Sequence, residues 1–188
     1  MPRGSLHPAV RTFVDIMAEV VAEGGGEEVG TQRVAAPLEV LLRTRSFLAP
    51  PYRRPSAERY VIYPLWVAPS GAFSVAAAVW NVGQRTPIHD HTTWGVVGIY
   101  EGIEHETRYR PGGASIAPLR LGERDLRAGE VIVCCTSDQD IHEVRCGSAV
   151  PCVGIHVYGA DIGTLTRHRY DPLSGERTDF VSRWAELS

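Results

Sequence analysis

His89 and His91 stand one residue apart in the stretch 83–102, GQRTPIHDHTTWGVVGIYEG. On a β-strand alternate side chains leave the same face, so the two imidazoles point into one space. Two neutral imidazoles converging in this way make half of a transition-metal site. A second pair, His156 and Tyr158, has the same spacing and is expected to share a face of its own strand.

The elements that carry these residues are predicted by the apolar pattern. From Pro8 to Glu23, Val10, Phe13, Val14, Met17, Val20 and Val21 fall at helical spacing, and Gly24, Gly25 and Gly26 end the run. A second helix is predicted to begin near Thr31 as its N-cap and to pass through Val34, Leu38, Leu41 and Leu42 to about Phe47. The proline-rich APPYRRPS then breaks the pattern. After it come short runs rich in Val, Ile, Tyr and Trp: 59–67, 73–81, 94–101, 103–110, 115–121, 130–136, 141–146, 151–158 and 164–170. Turn signals such as Pro69-Ser70-Gly71, Pro111-Gly112-Gly113 and Ser174-Gly175 separate several of them. Many short strands with no helices between them predict an antiparallel barrel or jelly roll.

The 188 residues suit one domain over 1–188, with N-terminal helices in 1–50 and a barrel over 59–185. Apolar residues make up 44% and charged residues 22%, as in soluble globular proteins. A net charge of -3 and a pI near 6.2 offer no broad basic surface, so nucleic acid is not an expected partner. No apolar run reaches the length of a membrane span, and MPRGSLHPAVRTF has no signal-peptide core, so a cytoplasmic location is expected. Cys134, Cys135, Cys146 and Cys152 show no zinc spacing and sit among Val131, Ile132, Val133 and Val153. They are read as buried, reduced core residues, with a disulfide or redox role as the alternative.

The spacing Gly83, His89-Asp90-His91 and Gly102 resembles the first cupin motif, except that Gly95 stands where a Glu ligand is usual. Gly129-Glu130-Val131 and Asp140-Ile141-His142-Glu143-Val144 resemble the second, with His142 as its ligand. Together with GIHVYGADIG at 154–163, these motifs resemble the thiol dioxygenases over about residues 59–170: cysteine dioxygenase and its bacterial relatives acting on 3-mercaptopropionate. The resemblance implies an all-β cupin double-stranded β-helix (jelly-roll) barrel with an N-terminal pair of α-helices. It also implies Fe(II) held by His89, His91 and His142, and conversion of a small thiol and O2 into a sulfinate. Three neutral ligands would leave the ion its full charge and open positions for a thiolate and O2. Three imidazoles also suit Zn, Ni or Cu. A cupin oxygenase acting on a carbon centre, and a non-catalytic cupin that binds a metal or small ligand, are the alternatives.

In the resembling enzymes a Ser-x-His-x-Tyr relay sets a tyrosine hydroxyl beside the iron. Tyr158 and His156 match it, whereas Gly154 takes the serine's place, and a water is expected there. The bland counterpart is a core tyrosine satisfied by a core histidine. Gly95 and Val96 offer no cysteine for the thioether crosslink of mammalian-type enzymes. The position of the carboxylate-binding arginine of cysteine dioxygenases falls at Ile62 or Tyr63, which disfavours L-cysteine. Arg167 matches the arginine that the bacterial enzymes direct at the substrate carboxylate; the alternative is a surface arginine paired with Asp161 or Asp171. Tyr63 and Trp94 are further candidates to reach the substrate, each with packing as its other role, while His105 and His168 are expected to face elsewhere. The implied partners are a small thiol and O2, with no membrane; no motif sets an oligomeric state.

Overall fold

The computed structural model describes residues 6–44, 46–112, 116–135 and 141–187, with the backbone alone for 134 and 135. Gly113 of one expected turn, Asp140 of the second motif and the side chains of Cys134 and Cys135 lie outside the described residues.

Helix α1 (Pro8–Glu23) buries Val10, Phe13, Val14, Met17 and Val20, the stripe its sequence spacing dictates. Proline suits its first turn because the missing N–H has no helical partner there, and His7 Nδ1 accepts from the Ala9 N–H at 3.2 Å. Helix α2 (Gly26–Arg43) starts earlier than Thr31. Gly25 turns into it at φ 105°, and Glu27 and Glu28 occupy the first turn, where the helix dipole favours negative charge. Thr31 is therefore inside the helix, its hydroxyl donating to the Glu28 carbonyl at 3.1 Å. Pro37 removes one helical hydrogen bond, yet the buried stripe Val34, Leu38 and Leu41 continues past it.

The strands follow as β1 (Val61–Val67), β2 (Ser74–Trp80), β3 (Ile88–His89), β4 (Gly95–Glu101), β5 (Ile103–Arg110), β6 (Leu119–Arg127), β7 (Val131–Cys135), β8 (His142–Cys146), β9 (Cys152–Tyr158), β10 (Arg167–Tyr170) and β11 (Arg177–Phe180). They form a five-stranded sheet, β1-β2-β9-β4-β7, and a six-stranded sheet, β11-β10-β3-β8-β5-β6. From β2 onward the chain passes back and forth between the two sheets, which winds them into a double-stranded β-helix. The fold is the all-β cupin barrel with an N-terminal helix pair.

The five-stranded sheet is covered on both sides, so β2 and β9 are buried along their whole length instead of alternating. Val75, Ala77, Val79, Val153, Ile155 and Val157 face the helical stripe. Ala78, Trp80, Cys152 and Tyr158 face the barrel interior. Cys146 and Cys152 are buried free thiols, as expected. No described helix is long and apolar enough to cross a membrane.

Helix α2 approaches β4 most tightly at Gly98, where an added Cβ would stand 2.7 Å from Leu42 Cδ1 and 3.0 Å from Leu38. Gly98→Val is expected to overpack this seam and lower stability by about 1–3 kcal/mol, read from the urea midpoint at unchanged m-value. An unaltered midpoint would show that the seam yields freely.

Candidate metal centre

Strands β3 and β8 pair antiparallel with His89 directly opposite His142. His91 follows two residues after His89, and the three rings form a nearly equilateral set with centroids 4.8, 4.8 and 4.9 Å apart. All three are buried, and one nitrogen from each lies within 4.8 Å of the others. His89 Nδ1–H donates to the Pro87 carbonyl at 2.9 Å, and His142 Nδ1–H donates to Glu106 Oε1 at 2.7 Å. Those bonds leave Nε2 of each ring with a free lone pair. Burial, then the positive charge of neighbouring groups including His142 and Arg167, holds His89 and His91 well below the usual imidazole range. Imidazoles whose Nε2 lone pairs are set by such bonds are a donor set fit for a transition-metal ion.

Glu106 is the carboxylate behind His142. Burial pushes its carboxyl up, but the hydrogen bonds and charges of His142 and Arg124 outweigh that and hold it at about 2. Arg124 Nε donates to it at 2.5 Å. Asp90 turns away from the tripod: it accepts from the His168 N–H at 2.8 Å, from His168 Nδ1–H at 2.7 Å and from the Tyr170 hydroxyl at 2.8 Å. These bonds lash the H-x-H segment to β10.

Arg167, on β10, is 3% exposed and lines the same cavity as the three histidines, His156 and Tyr158. Its Nη2 donates to Ser182 Oγ at 2.7 Å, and its guanidinium lies 4.7 Å from the Phe180 ring centre. It pairs with neither Asp161, which accepts from Trp184 Nε1 at 2.9 Å, nor Asp171, which caps the turn at Leu173 and Ser174. Among the described residues Arg167 has no carboxylate partner, and its buried Nε has no acceptor.

Tyr158 and His156 share the inner face of β9, with the hydroxyl 2.9 Å from Nδ1. The Tyr158 ring stacks on His91 at 5.5 Å between centres. The space beside His156 where a water was expected holds the buried carboxylate of Glu104, whose Oε1 is 3.5 Å from Nε2. Tyr63 does not reach the cavity. It faces the helices, donates to the Arg54 carbonyl at 2.9 Å and packs edge-on to Tyr52, while Ile62 takes the inward position. Trp94 does not reach it either: it packs into the helix-side core, in phase with Val96 and Gly98. His105 pairs with Asp125 at 2.7 Å, and His168 with Asp90.

The sequence reading missed Glu104, Glu106, Tyr60, Thr86 and Ser182 around this site. The alternation Glu104, Glu106 in IEHETRYR was the available signal. The inner cavity has a volume of about 20 Å³ and shares Tyr60, Ile62 and Ser182 with an outer pocket of about 420 Å³. The segment 180–185 lines the outer pocket and reaches the inner one at Ser182; it is tied down by the Ala185 N–H on the Ile62 carbonyl (2.8 Å) and by a Tyr60–Ser182 hydroxyl bond (3.1 Å).

No protein-family model matches the chain. Solved structures that align with it include a double-stranded β-helix protein of Klebsiella pneumoniae, at 15% identity over 75% of this chain and 93% of that one, TM-score 0.49. A cupin of Methanocaldococcus jannaschii aligns at 11% identity over 57% and 86%, TM-score 0.43. The DMSP lyase of Ruegeria pomeroyi aligns at 19% identity over 60% and 54%, TM-score 0.43. Likeness at this level concerns the fold alone, and the fold assignment rests on the strand order and register.

Glu106→Ala is expected to weaken divalent-metal binding by roughly 10- to 100-fold, because His142 loses the partner that sets its tautomer and angle. Anaerobic titration of the metal-free protein with Co(II), followed by absorption, measures this. Wild-type affinity in the variant would confine Glu106 to a packing role.

Proposed function

We propose that this protein is a non-haem Fe(II) thiol dioxygenase that converts a small carboxylate-bearing thiol, of the 3-mercaptopropionate kind, and O2 into the sulfinic acid. One observation carries the reading: a buried guanidinium with an unsatisfied Nε shares a cavity with three convergent imidazoles. A buried cationic donor without an acceptor favours an anionic ligand. Bound Fe(II) would supply a doubly charged ion with positions open to a thiolate and to O2.

The chain's own residues account for the rest. His89, His91 and His142 contribute no negative charge to the centre, so the pull on a thiolate is undiluted. Arg167 presents its fork to the substrate carboxylate, which takes over from Ser182 Oγ. Tyr158, held by His156, hydrogen-bonds the substrate on the side facing His91. Ile62 supplies no charged partner for an amino acid's carboxylate, which selects against L-cysteine. A volume of about 20 Å³ admits little more than a water, so the thiol enters as the Ser182 segment gives way toward the outer pocket.

Metal analysis after iron-supplemented purification, followed by oxygen uptake with a panel of thiols, tests the reading. One O2 consumed per sulfinate formed is expected. Iron without thiol turnover would point instead to oxidation at carbon, and a protein that takes up no metal would point to a binding module. Arg167→Lys is expected to raise the KM for 3-mercaptopropionate by roughly tenfold or more, since a charged hydrogen bond contributes about 1.5–3 kcal/mol. An unchanged KM would remove Arg167 from substrate binding. Tyr158→Phe is expected to slow turnover by roughly 10- to 100-fold with metal content unchanged, from the loss of one hydrogen bond at the reacting group. Full turnover at saturating thiol would remove Tyr158 from the chemistry.

A further inference from the structure

The relay implied by the family pattern lacks its serine, and Gly154 stands at that position on β9. An added Cβ at Gly154 would lie 2.1 Å from Glu104 Oε1 and 2.7 Å from His156 Nε2. A side chain at 154 would therefore require the carboxylate of Glu104 to move from its place. Glu104 is 1% exposed, and among the described residues no arginine or lysine pairs with it. Its polar contact there is His156 Nε2, at 3.5 Å. On the far side of the same ring, Nδ1 meets the Tyr158 hydroxyl at 2.9 Å.

We infer that Glu104 is a positioning residue that fixes the tautomer of His156 and, through it, the direction in which the Tyr158 hydroxyl bonds. The carboxylate accepts the Nε2–H hydrogen. Nδ1 is then the bare nitrogen and accepts the Tyr158 O–H. With its hydrogen given to Nδ1, the phenol can meet a ligand in the cavity only as an acceptor. On the thiol dioxygenase reading, on which this last step rests, the donor it meets is the S–H of the incoming thiol, before the substrate loses that proton to solvent and binds as the thiolate.

The arrangement on β5 supports the assignment. Glu104 and Glu106 are two apart and point the same way, and each is spent on one imidazole, Glu106 on His142 and Glu104 on His156. A single strand thus orients both a ligand of the tripod and the histidine behind Tyr158. A serine hydroxyl can donate or accept and leaves the tautomer open, whereas an ionised carboxylate only accepts.

The test begins with the metal-free protein, so it does not depend on thiol turnover. Ring-nitrogen shifts of 15N-labelled His156 are expected to show hydrogen on Nε2 and a bare Nδ1. Glu104→Gln keeps an acceptor oxygen and is expected to preserve that tautomer, whereas Glu104→Ala mixes it. Glu104→Met, closer in volume, replaces the alanine variant if that one fails to fold by circular dichroism. In the iron-loaded enzyme, loss of the acceptor is expected to lower kcat roughly tenfold with KM within about twofold, and the Gln variant recovers most of it. Hydrogen on Nδ1 in the wild type, or an unchanged tautomer in the Ala and Met variants, would overturn the assignment. Absence of thiol turnover in the wild type would overturn the thiol reading and leave the tautomer result standing.

Discussion

The site depends on a strand of two residues. β3 places His89 opposite His142, yet a pairing so short contributes little by itself. It is held in place from both ends. Upstream, the Thr86 N–H donates to the Val144 carbonyl at 2.8 Å, and its hydroxyl accepts the Val144 N–H at 3.0 Å, extending the seam by side-chain bonding. Downstream, Asp90 gathers three hydrogen bonds from His168 and Tyr170. Because Asp90 is anchored to β10, the residue that begins that strand, Arg167, is brought into the tripod's cavity by the same fastening.

Charge is layered around this point. The inner layer holds three imidazoles and a guanidinium, with Arg167 Nε and Trp80 Nε1 as buried donors that have no acceptor among the described residues. The carboxylates stand one imidazole further out, on β5. Burying a cation costs free energy unless an opposite charge is near; Glu106 contacts His142 and Arg124 and Glu104 contacts His156, so among the described residues neither pairs with Arg167. The result is a small space whose walls favour an anion and whose outer carboxylates are spent on the imidazoles.

Much of this was legible in the chain, for reasons particular to each element. α1 was predicted with its observed bounds because its apolar stripe is unbroken and three glycines end it. α2 was predicted to start late because its first turn, GEEVG, carries little apolar signal; the turn at Gly25 and the Glu pair start it instead. β6 was predicted too early, and β11 was missed, since both are largely exposed and show no alternation. β3 is too short to produce any pattern. At the site, the three histidines stood out through their motifs and Arg167 through its offset from His156. Tyr63 was misassigned because a one-residue gap inverts strand parity, and Trp94 because its face follows from the helices packed outside β4, which no local pattern reveals. Glu104 and Glu106 were not visible because β5 has polar residues on both faces, so burial could not be assigned to either.

The two glycines that break the family pattern are explained by that layering. On the proposed reading, Gly95 leaves a bound ion without a carboxylate ligand, and Gly154 leaves the relay without its hydroxyl. In both cases the compensating polar groups reside on β5, behind an imidazole. A carboxylate bound directly to an ion cancels charge where an anionic substrate must bind, and it occupies a position the substrate needs. Moved back by one ring, it sets the orientation of that ring, and a bound ion would keep its full charge and open positions for the ligand. On the same reading, that displacement would turn a relay ended by a reversible hydroxyl into one ended by a fixed acceptor. In this barrel the glycines make room for charge placed at one remove, where it orients the histidines without competing for the cavity.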